Sequence, residues 1–155
     1  AMSRPQKPIS DLDVHLGYWL RSLSNHVSQA FQRKVETHGV TVAEWVLLRV
    51  VLRLGSAAPS ELADAIGMTR GAVSRLVERV AQKNLAKVAR SPSDKRAQII
   101  SLTGRGRRLV PALARLADEN DDEFFGRLPS DRRSELEQLI RALAAAHGLR
   151  GAPID

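Results

Sequence analysis

Two groups of side chains along this chain have the chemistry to hold a polyanion. Thr69, Arg70, Gly71, Ser74 and Arg75 fall on one side of a short helix if Val73, Leu76 and Val77 take the other. Guanidinium groups there match the O6 and N7 acceptors of guanine, and the hydroxyls of Thr69 and Ser74 suit phosphate oxygens. Gly71 and Ala72 are small enough for a close backbone approach. A second group, Arg90, Asp94, Lys95 and Arg96, brackets a turn. An arginine at such a tip suits a narrow minor groove with its enhanced negative potential. Asp94 cannot favour a polyanion by charge, so it either shapes the turn or orients Arg96. Ser60, at the start of the preceding helix, completes the set.

A third group is of a different kind. His15, Trp19, Ser22 and His26 recur at i, i+4, i+7 and i+11 beside an apolar stripe, and Trp45 and Arg49 form a second aromatic and polar pair. Such edges either line an apolar ligand pocket with a few convergent polar groups or simply pack. They do not make a metal site: His15 and His26 are separated by roughly 16 Å of helical rise, and no H-E-x-x-H spacing occurs. The chain has no cysteine, which removes disulfides, thiolate catalysis and thiol redox sensing. Gly104-Arg105-Gly106 lacks the third glycine of a dinucleotide fingerprint, and no P-loop, nucleophile elbow or paired-carboxylate pattern is present. Neither an enzyme nor a bound cofactor is expected.

The charge pattern agrees. The 155 residues carry a net charge of +7. Residues 59–108 hold eleven basic and four acidic side chains, so the whole excess sits in one central third. A localised excess of this kind is the footprint of a polyanion-binding surface. Asp118, Glu119, Asp121, Asp122 and Glu123 form an acidic patch, read as a solvated face or a pairing surface for a second subunit. The six aromatic residues all lie outside the basic segment, which argues against base stacking on single strands or RNA. No apolar run spans a bilayer, and a soluble cytoplasmic protein is expected.

The elements that must carry these groups follow from periodicity and capping. Leu12, Leu16, Trp19, Leu20, Leu23, Val27, Phe31 and Val35 predict one long helix from Asp11 to Glu36, capped by Ser10. Thr41 and Glu44 form a capping box for a second helix ending at Gly55. Residues 59–83 read as two short helices joined by a tight turn at Gly67-Met68, with Thr69 capping the second and Asn84 in a left-handed cap. Residues 85–102 read as a two-stranded hairpin, with Ser91-Pro92-Ser93-Asp94 as a type I turn. Thr103 caps a helix to Phe125 that Pro111 should bend, and Leu136, Leu139, Ile140 and Leu143 mark a last helix to about residue 147.

Helix-turn-helix followed by a basic hairpin is a winged helix. The segment SELADAIGMTRGAVSRLVERVAQKNL, the wing SPSDKRAQIISLTGRGR and the pattern Asp94-x-Arg96 followed by Leu102-Thr103 resemble the MarR family of bacterial transcription regulators. Asn84 stands where that family usually has glycine. The expected fold is mainly α with a small β-hairpin wing: one domain over 11–147, a winged helix-turn-helix at 41–102, and a helical dimerisation region at 11–36 and 104–147. The resemblance implies a homodimer on double-stranded operator DNA, with a small molecule as effector. The expected function is a sequence-specific regulator, a repressor released by an aromatic acid-like ligand; the alternative is an architectural nucleic-acid-binding protein without ligand response.

Overall fold

The computed structural model describes Pro5, residues 7–94 and residues 96–150. Lys95 lies outside the described residues. Among the described residues six α-helices and three short strands follow one another: α1 (Leu16–Glu36), α2 (Val42–Leu54), β1 (Ser56–Ala57), α3 (Pro59–Ile66), α4 (Arg70–Gln82), β2 (Ala86–Arg90), β3 (Gln98–Leu102), α5 (Gly104–Phe125) and α6 (Ser130–Ala146).

The core lies where α2, α3, α4, the sheet and the first half of α5 meet. Leu47, Leu48, Val51, Leu62, Ile66, Val73, Val80, Ile100, Val110 and Leu113 are all essentially solvent-free there. Each full burial of such a side chain stabilises the fold by roughly 1.5–3 kcal/mol. Val73, Leu76, Val77 and Val80 turn inward from α4, and this leaves the rest of its surface for other work.

Several ends form as their residues dictate. The hydroxyls of Thr41, Thr69 and Thr103 each accept the backbone N–H three residues on, from Glu44, Ala72 and Gly106. Gly67 closes α3 in the left-handed conformation. Asn84 does the same after α4 with φ 59°. The N–H of Leu85 bonds Val80 O and that of Asn84 bonds Ala81 O, the paired closure of a Schellman motif.

Four local expectations are corrected. The first helix starts at Leu16, not Asp11: Leu12–Val14 form a single 3-10 turn, His15 is extended, and Ser10 caps nothing. The apolar residues here are exposed, Leu12 by 75% and Leu16 by 79%, so no core contact within the chain enforces continuous helix. The wing is not a lone hairpin. Ser56 and Ala57 add a third antiparallel strand, in the order β1-β3-β2. The wing loop is closed by Ser91 N–H to Ala97 O, with Ala97 N–H to Asp94 O inside it, whereas Pro92 and Ser93 form only bends. Finally, the capping box of α2 is half made, because the Glu44 side chain is buried and turned to Lys83.

Gly106 explains how the wing is seated. A Cβ built there would lie 2.0 Å from the Leu85 carbonyl oxygen, so only glycine lets α5 pack on the base of the hairpin. The same junction is tied by Thr103 N–H to Leu85 O and by the Thr103 hydroxyl to Asn84 O. Farther along, α5 runs through Pro111 and meets α1. Buried Asn120 donates to Val27 O and accepts from Lys34, which also pairs with Glu123. At the far end Arg133 of α6 donates to Asp122 of α5 at 2.9 Å, and that carboxylate raises the guanidinium pKa above its ordinary value. Asp122 and Glu123 of the acidic patch thus have partners within the chain. No residue of α6 is buried.

Candidate nucleic-acid interface

Thr69, Arg70, Gly71, Ser74 and Arg75 are all exposed along one side of α4. The Thr69 hydroxyl spends an acceptor site on the Ala72 N–H and keeps its proton for an outside oxygen. Arg75 folds back along the helix: its Nη1 lies 3.8 Å from where a Gly71 Cβ would stand.

The hairpin stands beside this surface. A groove of about 630 Å³ runs from Pro59 at the start of α3, past Ser74 and Glu78 of α4, to Val88 and Gln98 of the strands. Ser60, next to Pro59, is half-buried at the start of α3. Arg90 and Arg96 share a second hollow on the hairpin with Val88, Ala89 and Gln98. Arg90 pairs in register with Gln98 across the two strands. The structure thus brings Ser74, the start of α3 and the two strands to one groove, and the hollow of the wing arginines shares Val88 and Gln98 with it. Gln98 and Glu78 belong to it and were not singled out from sequence. A strand glutamine and a helix glutamate carry no signal until the register is known.

Asp94 takes part in the turn through its side chain. Its carboxylate accepts the backbone N–H of Arg96 at 3.0 Å.

The basic excess is less concentrated than its sequence position implies. Lys83 is held by Glu44, and Arg107 donates to Leu102 O. Arg105 and Arg108 line a separate groove of about 490 Å³ with Lys83 and Asn84. That groove is at the C-terminal end of α4, roughly 20 Å from Thr69 by helical rise. Lys83, Arg105 and Arg108 thus lie away from the first turn of α4.

The aromatic group is not gathered in the single chain. Trp45 lines a groove of about 350 Å³ with Val27, Phe31, Val42, Val46 and Asn120, between α1, α2 and α5. His15, just ahead of α1, and Trp19 and His26 on it are exposed, and Ser22 is half-buried; Arg49 is exposed on α2. Trp19 donates its indole N–H to Asp13 O at 2.7 Å and stacks edge-on against Tyr18. Among the described residues no three potential metal ligands cluster, and no helix is long and apolar enough to cross a membrane.

A helix-turn-helix seated against a basic antiparallel wing defines a winged helix-turn-helix protein. Comparison with known proteins narrows this. A family model described as MarR family matches residues 38–97. A regulator ascribed to the hcr operon of Thauera aromatica is 30% identical over 132 residues, 83% of this chain and 78% of that protein. Two solved structures share the fold. One is a variant of the MarR protein of Escherichia coli complexed with operator DNA (TM-score 0.74, 22% identity, 86% of this chain and 99% of that one). The other is BpsR of Bordetella bronchiseptica, whose DNA binding is regulated by 6-hydroxynicotinic acid (TM-score 0.75, 23% identity, 88% and 98%). The chain belongs to the MarR family of transcriptional regulators and, like its relatives, is not an enzyme.

Proposed function

We propose that this protein is a cytoplasmic, homodimeric repressor that reads a pseudo-palindromic duplex operator through α4 and the wing, and that a small aromatic acid releases it. The observation that carries the reading is the placement of Arg70, Ser74 and Arg75 on the free face of α4, with Arg90 and Arg96 on the adjoining hairpin. A helix so placed contacts bases with its N-terminal residues, while hairpin cations reach the flanking backbone or minor groove. Lys95 extends the same set by sequence. The operator complex of the Escherichia coli protein supports duplex DNA as the partner.

Dimerisation through 11–36 and 104–147 is supported by the apolar surface the chain leaves open. Leu16, Leu20 and Leu23 of α1 and Leu139, Ile140 and Leu143 of α6 are each at least 44% exposed, beyond the scattered apolar exposure normal for a monomer. Two half-sites about 34 Å apart then match two α4 helices related by a twofold axis. The Trp45 groove lies where the long helices meet α2, so a ligand seated there is placed to change that spacing. Only a ligand with unequal affinity for the two spacings can do so. The control of BpsR by 6-hydroxynicotinic acid supports an aromatic acid. His15, Trp19, Ser22 and His26 would reach such a ligand only from the second chain.

The dimer is tested by light scattering at micromolar concentration. Twice the chain mass is expected, and Leu139→Glu with Leu143→Glu should yield the single-chain mass with the helical content retained. A wild-type particle of single-chain mass contradicts the reading.

A further inference from the structure

Glu44 is the one charged side chain buried among the described residues, at 1% exposure, and neither DNA contact nor dimerisation uses it. Its two oxygens lie 3.0 and 2.8 Å from Lys83 Nζ, whose remaining bond runs to Gly39 O at 2.9 Å. All three protons of the ammonium are therefore committed. The contact joins three places: the loop between α1 and α2, the first turn of α2, and the residue that ends α4.

The last of these places is the junction of both DNA-reading elements. Lys83 is the C-cap of α4, Asn84 makes the left-handed turn, and Leu85 leads into β2. Thr103 holds the same turn from the other side through Asn84 O and Leu85 O. A shift at Lys83 therefore tilts α4 and moves the root of the wing together. An error of an ångström at a bidentate base contact loses that contact, since hydrogen bonds weaken steeply with distance and angle. The choice of a carboxylate is also informative. Glu44 could have completed the capping box by reaching back to Thr41 N–H, a local gain, but is turned to a residue 39 positions away.

Resting on the DNA-binding reading above, we propose that the Glu44–Lys83–Gly39 clamp is a positioning device that sets α4 and the wing on α2, so that specific operator affinity depends on it although neither side chain touches DNA. Glu44 and Lys83 are positioning residues.

Sign separates this from simple electrostatics. Glu44→Met removes a negative charge from a DNA-binding domain, so charge alone predicts tighter binding to every duplex. Methionine fits a buried site of this size, and the freed Lys83, 39% exposed, can reach water, so the variant should fold. The probe is the duplex that wild-type protein selects from a random-sequence library, measured beside a scrambled duplex, with circular dichroism confirming native helix content at the assay temperature. The expected result for Glu44→Met is about tenfold weaker binding to the selected duplex, with affinity for the scrambled one unchanged or raised. Lys83→Met should lose a similar factor with no change in salt slope, and the double variant should lose no more than the worse single. Equal or tighter specific binding by Glu44→Met overturns the proposal, as does a salt slope reduced by about one unit in Lys83→Met, which would make Lys83 a phosphate contact. If wild type selects no sequence at all, the DNA-binding reading itself fails, a result distinct from either.

Discussion

Gly106→Ala is expected to destabilise the fold by about 3 kcal/mol or more, at the upper end of what overpacking costs. The added methyl carbon would stand 2.0 Å from Leu85 O and 3.5 Å from Leu102 Cβ. The first of these neighbours is backbone, held by the Thr103 N–H, so it cannot swing aside as a flexible side chain would. Either α5 backs away from the hairpin or the Thr103–Leu85 bond breaks. Helix propensity alone predicts the opposite, a gain of 0.5–1 kcal/mol on replacing a helical glycine by alanine. Urea denaturation of both proteins decides between them. An unchanged or raised midpoint would show that the close approach of α5 to Leu85 is not as described.

Removing the two guanidinium groups in the first half of α4, Arg70 and Arg75, is expected to have the larger functional effect. Arg70→Ala and Arg75→Ala should each weaken operator binding by about 1–3 kcal/mol and relax the preference for particular bases. The two side chains leave α4 at different angles and share no described partner, so the losses should be nearly additive. Lys95→Ala, by contrast, should weaken all duplexes alike and lower the salt slope by about one unit. Competition titrations against single-base operator variants provide the readout. A loss of base preference as great for Lys95→Ala as for the two arginines would mean that base and phosphate contacts are wrongly assigned.

Much of this surface was legible from sequence, for a reason specific to it. The inward residues of α4 recur at 3.6-residue spacing, so its outward residues follow by subtraction, and Thr69 and Asn84 mark its ends with residues that have few other uses. The α2 cap was half legible. Thr41 acts as read, but nothing local reveals that Glu44 prefers Lys83, because that contact exists only once α2 and α4 have packed. The role of Gly106 was hidden for the same reason. Its neighbour Leu85 is distant in the chain, and the glycine looked like part of a failed nucleotide motif. β1 was missed because two residues are too few to show an alternating pattern. The His15–Trp19–Ser22–His26 stripe shows the limit of helical spacing. It identifies residues that would share a face but not what that face meets: here His15 precedes the helix, Trp19 and His26 are exposed and Ser22 is half-buried, while Trp45 lines a groove with other residues of α1.

The central claim is that α4 and the wing read duplex sequence. Its most direct test is to anneal and melt the selected 20–30 base-pair operator and follow binding by fluorescence anisotropy across a salt series, with scrambled duplex and each single strand alongside. Binding to the operator duplex is expected to be at least ~10³-fold tighter than to scrambled duplex, falling steeply with salt, with no comparable affinity for either strand alone. Equal affinity for operator, scrambled duplex and single strands would contradict it and leave a basic protein that binds polyanions without reading them.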